Sequence, residues 1–117
     1  MILPKRLCGQ HPSVKRSKAQ EVGTAARIGG HVTKASGAQP FEKADVRIKG
    51  VVRLELKTTK ARSFSVTVDM LDKIEAQALQ AGELPVMEIE INNVGAPRSV
   101  YILPIWALDA LLQRVAP

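Results

Sequence analysis

From Ala44 to Thr59 the chain reads ADVRIKGVVRLELKTT, two runs of alternating apolar and polar residues on either side of Lys49-Gly50. Alternation of this kind, broken by glycine, predicts a β-hairpin. The turn decides which side chains share a face, because a slip of one residue sends every side chain to the opposite side. A two-residue turn at Lys49-Gly50 pairs Ile48 with Val51 and separates Asp45 from Glu55 and Lys57. A three-residue turn of Ile48, Lys49 and Gly50, with Gly50 left-handed, pairs Arg47 with Val51 and Asp45 with Arg53. In this second arrangement Val46, Val52, Leu54 and Leu56 form one apolar row suited to a core. Asp45, Arg53, Glu55 and Lys57 then share the other face. Burial and the grouping of charges select the same turn, so the three-residue turn is expected.

The period changes on both sides of the hairpin. Ser17 is placed as the N-cap of a helix through SKAQEVGTAARI, with Ala19, Val22 and Ala26 on one stripe and Gly29-Gly30 at its end. Residues 1–14, MILPKRLCGQHPSV, carry no helical or strand period and read as a basic flexible arm. Val32 to Ser36 predicts a short strand, followed by a loop, SGAQPFEKA, in which Gly37 and Pro40 prevent regular structure. After KARSFS, Thr67 caps a helix running to Ala81, with Leu71, Ile74, Ala78 and Ala81 as its buried stripe and Gly82 just past its end. LPVMEIEIN alternates Val86, Glu88 and Glu90 against Met87, Ile89 and Ile91, the pattern of a half-buried strand, and RSVYILP predicts another. Pro104 starts a last helix whose Ile105, Trp106, Leu108, Leu111, Leu112 and Val115 cover more than one stripe. Such a helix requires burial on two sides, deep in the core or at a subunit interface.

Helices interleaved with strands, one of them following a hairpin, give an α/β fold with a central mixed β-sheet flanked by helices. At 117 residues the chain supports one hydrophobic core, so residues 15–117 read as a single domain behind the arm. Cys8 is the sole cysteine, which excludes an internal disulfide and a cysteine-built zinc site and fits a reducing cytoplasm. No stretch approaches the roughly 20 apolar residues that cross a bilayer, so a cytoplasmic protein without a membrane partner is expected. His11 and His31 lack a metal-ligand spacing, and the few aromatic residues do not make a base-stacking sheet.

Charge adds a direction to this picture. Residues 1–62 hold 14 basic and 4 acidic side chains, a net +10, while residues 63–117 hold 3 and 7, a net −4. One half folded against the other leaves an electropositive face, the footprint of a polyanionic partner. On the hairpin, two carboxylates placed side by side repel each other unless a divalent cation sits between them. Mg²⁺ takes oxygen ligands and keeps several waters, so Asp45, Glu55, a backbone carbonyl and a phosphate oxygen suffice to hold it. A lysine two residues beyond Glu55 balances negative charge that develops at the phosphate or orients the attacking water.

These residues stand in a wider order: Glu21 in SKAQEVGTAARIGG, Ser36-Gly37 in TKASGAQP, Asp45 in KADVRI, then ELK at Glu55 to Lys57. Over residues 15–92 this order resembles the PD-(D/E)XK nuclease superfamily, and within it the archaeal Holliday junction resolvases and their phage relatives. Ala44 stands where the superfamily's name has proline, and Ala35 where many relatives have glycine. The resemblance implies a restriction-endonuclease-like core and a Mg²⁺-dependent DNA endonuclease, with Mn²⁺ able to substitute. It implies that Asp45 and Glu55 ligate the metal with the Leu56 carbonyl assisting, that Lys57 serves the attacking water, and that Glu21 reaches the metal directly or through water. Lys15, Arg16, Lys18, Lys34, Ser36, Lys60 and Arg62 are the expected DNA contacts. The expected partner is four-way junction or other branched DNA, in the host cytoplasm if the chain is phage-encoded. Two symmetric nicks call for a two-fold homodimer. The alternatives are a nuclease of the same fold acting on forks, flaps or duplex, and a non-catalytic DNA-binding module.

Overall fold

The structure, a computed structural model, describes residues 12–33, 45–93 and 95–116, with side chains from residue 16 onward. In chain order it contains α1 (Pro12–Ile28), β1 (His31–Val32), β2 (Val46–Ile48), β3 (Val52–Thr59), α2 (Val68–Gln80), β4 (Leu84–Ile91), β5 (Arg98–Ile102) and α3 (Ile105–Val115). The strands form one five-stranded sheet in the order β1-β2-β3-β4-β5. Only β3 and β4 run parallel; the other neighbours are antiparallel. The α/β class, the mixed sheet and the flanking helices agree with the sequence pattern. Among the described residues no helix is long and apolar enough to cross a membrane.

The first helix starts earlier than expected. It begins at Pro12, ahead of the Ser17 assigned as its cap, so residues 12–14 belong to the helix and not to an arm. Proline suits a first helical position because its fixed φ is already helical and its missing N–H has no partner there anyway. Residues 1–11 lie outside the described residues, as do 34–36 of the strand expected from Val32 to Ser36; β1, His31–Val32, covers only Val32 of that stretch. Gly29, at φ +72°, ends α1 as expected.

The hairpin keeps the expected faces but not the expected register. Ile48 pairs with Val52, Arg47 with Arg53 and Val46 with Leu54. The loop is therefore Lys49-Gly50-Val51, closed by the Val51 N–H on the Ile48 carbonyl at 2.9 Å. Gly50, at φ +76°, holds the third position of that turn, where a left-handed conformation excludes most side chains. The slip relative to the expected pairing is two residues, and an even slip leaves every side chain on its own face.

Each face of the sheet carries its own core. On one side α1 covers Val46, Leu54, Leu56 and Val86, with Ala25, Ile28, Val52 and Leu103 packed around them. On the other, α2 lays Ile74 over Met87 and Ile89, with Phe64, Met70 and Leu71 at the margin. Each fully buried Val, Leu, Ile or Met of this kind stabilises the fold by about 1.5–3 kcal/mol. Thr67 caps α2 by accepting the Met70 N–H. Lying between two covered faces, β4 is buried from Leu84 to Ile89, which corrects the half-buried strand expected from its alternation. Glu88, expected on a solvent face, lies beneath α1 at 1% exposure.

The last helix attaches through Ala107, which is buried, and through Trp106, whose indole N–H lies 3.4 Å from a Glu75 carboxylate oxygen. Ile105, Leu108, Leu112 and Val115 remain exposed, Ile105 to 81%.

Candidate active site

Asp45 immediately precedes β2, and Glu55 and Lys57 alternate with buried leucines along β3. Continuing the Val46–Leu54 register by one residue sets Asp45 directly opposite Glu55. That is closer than the expected register, which gave Asp45 to Arg53. Arg53 still reaches Asp45, its Nε donating to Oδ2 at 2.9 Å. Lys57 Nζ lies 3.3 Å from Glu55 Oε1. The main chain of Asp45 is anchored as well: its N–H donates to the Thr33 hydroxyl at 3.0 Å, and its carbonyl accepts from the Thr33 N–H at 2.7 Å. A short β2 flanked by β1 thus holds the carboxylate against β3.

The electrostatics follow from burial and crowding. Burial pushes the Asp45 carboxyl up, the neighbouring Glu55 adds to the rise, and Arg53 only partly opposes it, leaving Asp45 at about 7. Burial acts upward on Glu55 too, but the hydrogen bond from Asp45 and the charges of Lys57 and Lys73 outweigh it and hold Glu55 below the usual carboxylate range. Burial and crowding therefore favour the protonated form of Asp45 and the ionised form of Glu55. Such a proton is what a divalent cation replaces. Two carboxylates on a half-buried face match the sparse protein ligation of Mg²⁺. Leu56, between Glu55 and Lys57, buries its side chain on the α1 face, so only its main chain is available to an ion.

The remaining expected residues divide. Glu21 sits half-buried on α1, the helix that packs on the opposite face of the sheet. Among the described residues no group of three or more His, Cys, Asp or Glu is placed to hold a metal ion, so Glu21 does not join Asp45 and Glu55 in one ligand set. Helix α1 passes Lys57 at Gln20 and the Val46–Leu54 level at Ala25 and Ile28. Its first turns therefore lie toward the end of the sheet where β3 finishes. Arg16, half-buried, and Lys18, exposed, are on those turns, and Lys60 and Arg62, exposed, follow β3. Lys34, Ser36 and the side chain of Lys15 lie outside the described residues.

Several partners were not anticipated from the sequence. Lys73 acts on Glu55 from α2 because that helix covers the site's face, which only the crossover from β3 to β4 determines. Glu88, on β4, accepts from Gln20 and Thr24 and pairs with Arg27, whose other nitrogen donates to the Tyr101 hydroxyl at 2.8 Å. Glu83, fully buried, accepts from Arg47 Nε at 2.9 Å and from the Gly50 N–H at 2.9 Å, tying the hairpin turn to the start of β4. Burial acts to raise Glu83, and Arg47 with the Gly50 N–H overrides it to keep the carboxyl below its ordinary range. The one available signal was unusual placement: Glu83 directly after a helix-ending glycine, and Glu88 inside an otherwise apolar strand.

Compared with known proteins, the chain matches no family model, no curated protein and no solved structure.

Proposed function

We propose that the protein is a Mg²⁺-dependent DNA endonuclease with a restriction-endonuclease-like core, acting on branched DNA in the manner of a Holliday junction resolvase. The observation that carries this reading is the Asp45–Glu55 pair, a buried aspartate opposite a half-buried glutamate, with Lys57 Nζ at 3.3 Å from Glu55 Oε1. The element order, helix, antiparallel hairpin, crossover helix and parallel strand, supports the fold assignment.

In this reading Asp45 and Glu55 hold the ion and the Leu56 carbonyl assists, without Glu21, which lies on the helix across the sheet. When bound, the ion supplies Lewis acidity toward a phosphate oxygen and toward water. Lys57 stays beside Glu55 as a fixed positive charge and offsets the negative charge that builds on the phosphate. Arg53 holds Asp45 in place through Nε. Arg16, Lys18, Lys60 and Arg62 receive phosphates along the sheet end. Contacts of this kind position DNA without reading its bases. A homodimer through α3 presents two sites to the two symmetry-related strands of a junction.

The deciding experiment is cleavage of labelled four-way junction, fork and linear duplex side by side, with Mg²⁺, Mn²⁺ or chelator, by the wild type and by Glu55→Gln. Expected is metal-dependent, paired nicking of the junction that the Gln variant loses by orders of magnitude while still binding DNA. Cleavage confined to forks or duplex moves the substrate, and full activity of Glu55→Gln overturns the site.

A further inference from the structure

The polar cluster beneath α1 is not used by the mechanism above, yet one of its members touches the site's strand. Gln20 is 4% exposed, and its Nε2 donates to the Lys57 carbonyl at 2.9 Å and to a Glu88 carboxylate oxygen at 3.2 Å. Glu88 is held in turn by Thr24 and Arg27, each from α1. One side-chain amide therefore spans from α1 to β3 and β4 at the level of Lys57. The pairing of β2 with β3 ends at Leu54, and among the described residues β3 has no strand partner on its β2 side beyond that point. Glu55 and Lys57 lie in that stretch. Their backbone is fixed from β4 and, at Lys57, from Gln20 above the sheet.

We propose that Gln20 is a positioning residue for Lys57: by holding the Lys57 carbonyl, with Glu88 keeping the Gln20 amide in place, it fixes the direction in which the lysine leaves the strand. This rests on the proposed catalytic use of Lys57. The amide is fit for the purpose because its Nε2 donates to the Lys57 carbonyl and is held on Glu88 by both a carboxylate oxygen and the main-chain carbonyl at 3.4 Å, and because the site is buried from competing water. A purely structural role would serve equally well with any contact that holds α1 to the sheet. Thr24 supplies the comparison, since it bonds Glu88 but not Lys57.

The test compares Gln20→Met, which keeps length and removes the donor, with Thr24→Val, which removes a bond to Glu88 only. Thermal denaturation is recorded for both. Backbone amide relaxation by NMR at Lys57 is measured in the absence of metal and DNA, so it reports whether or not cleavage is observed. Expected for Gln20→Met is a lower order parameter at Lys57, with kcat down roughly ten- to hundredfold and KM unchanged, the scale on which misplacement of a reacting group acts. Expected for Thr24→Val is wild-type order at Lys57 and wild-type kcat, with a lower melting temperature. Unchanged order at Lys57 in Gln20→Met overturns the proposal, and so does an equal loss of kcat in the two variants. If the wild type cuts no DNA, the catalytic reading fails on its own, while the relaxation comparison still decides whether Gln20 positions Lys57.

Discussion

Asp45 and Glu55 face each other across the β2–β3 hairpin, where burial and the neighbouring Glu55 push the Asp45 carboxyl up while Asp45 and Lys57 hold Glu55 down. The Asp45 carboxyl does not titrate as it would alone in water, and the difference is measurable as pH-dependent stability.

Asp45 is pushed from 3.8 up to about 7, so the folded chain binds more protons than the unfolded one across that interval. Stability from this group falls as pH rises through the interval, and the loss is complete above it. Without divalent ions, Asp45→Asn is expected to stabilise the protein at about pH 8 and to change it little at about pH 4, as urea titrations at the two pH values will show. Mg²⁺ binding is expected to expel the proton. Apparent affinity then climbs with pH until about 7 and levels off, and calorimetry in buffers of different ionisation enthalpy counts the proton released.

Glu83 has the opposite sign. Its carboxyl is held below the ordinary range, so its contribution is present above its unfolded pKa and disappears as pH falls through the folded value. Glu83→Ala leaves Arg47 and the Gly50 N–H without their acceptor and is expected to cost roughly 2–4 kcal/mol at neutral pH. The cost should shrink in acid, which denaturation curves across the acid range will show.

Binding through phosphates predicts a salt dependence. The log–log slope of affinity against salt should be about −0.9 per phosphate neutralised on duplex arms. Replacing both Lys60 and Arg62 by alanine should flatten it by about two such steps and weaken all sequences alike, as fluorescence anisotropy over a salt series will show.

The exposed side of α3 predicts self-association. Leu112 is 54% exposed, and Leu108 and Ile105 lie on the same uncovered helix. Light scattering should give a dimer at micromolar concentration. Leu112→Asp should give monomers that keep the fold by circular dichroism, bind junction DNA more weakly and nick one strand at a time.

The sequence carried the element order well, because alternation and the α2 stripe report burial and Thr67, Gly50 and Pro104 mark their own turns and caps. On α1, however, the expected stripe of Ala19, Val22 and Ala26 is exposed, and Gln20, Thr24, Ala25 and Ile28 face the sheet because polar groups there bond Glu88 and Lys57. It carried the shared face of Asp45, Glu55 and Lys57 for the same reason. The register was missed because both registers bury the same valines and leucines, so the apolar pattern does not distinguish them. Glu83 and Glu88 were missed because each is satisfied by groups far away in sequence, Arg47 and Gly50 in one case, Gln20, Thr24 and Arg27 in the other. An alternating strand reads as half solvent-exposed until the second covering helix is known. Residues 12–14 were read as part of an arm because they carry no helical period, whereas Pro12 occupies the first helical position of α1.

The bond from the Gly50 N–H to Glu83, 33 residues further on, also bears on the order of folding. A hairpin forms from local contacts in about 1–10 μs, well before a crossover strand docks. The two even-spaced alignments bury the same apolar row, so burial within the hairpin does not choose between them. Glu83, carried between α2 and β4, meets the Gly50 amide in the observed alignment. The acidic pair, although its members are near neighbours in sequence, is thus completed by a late long-range contact.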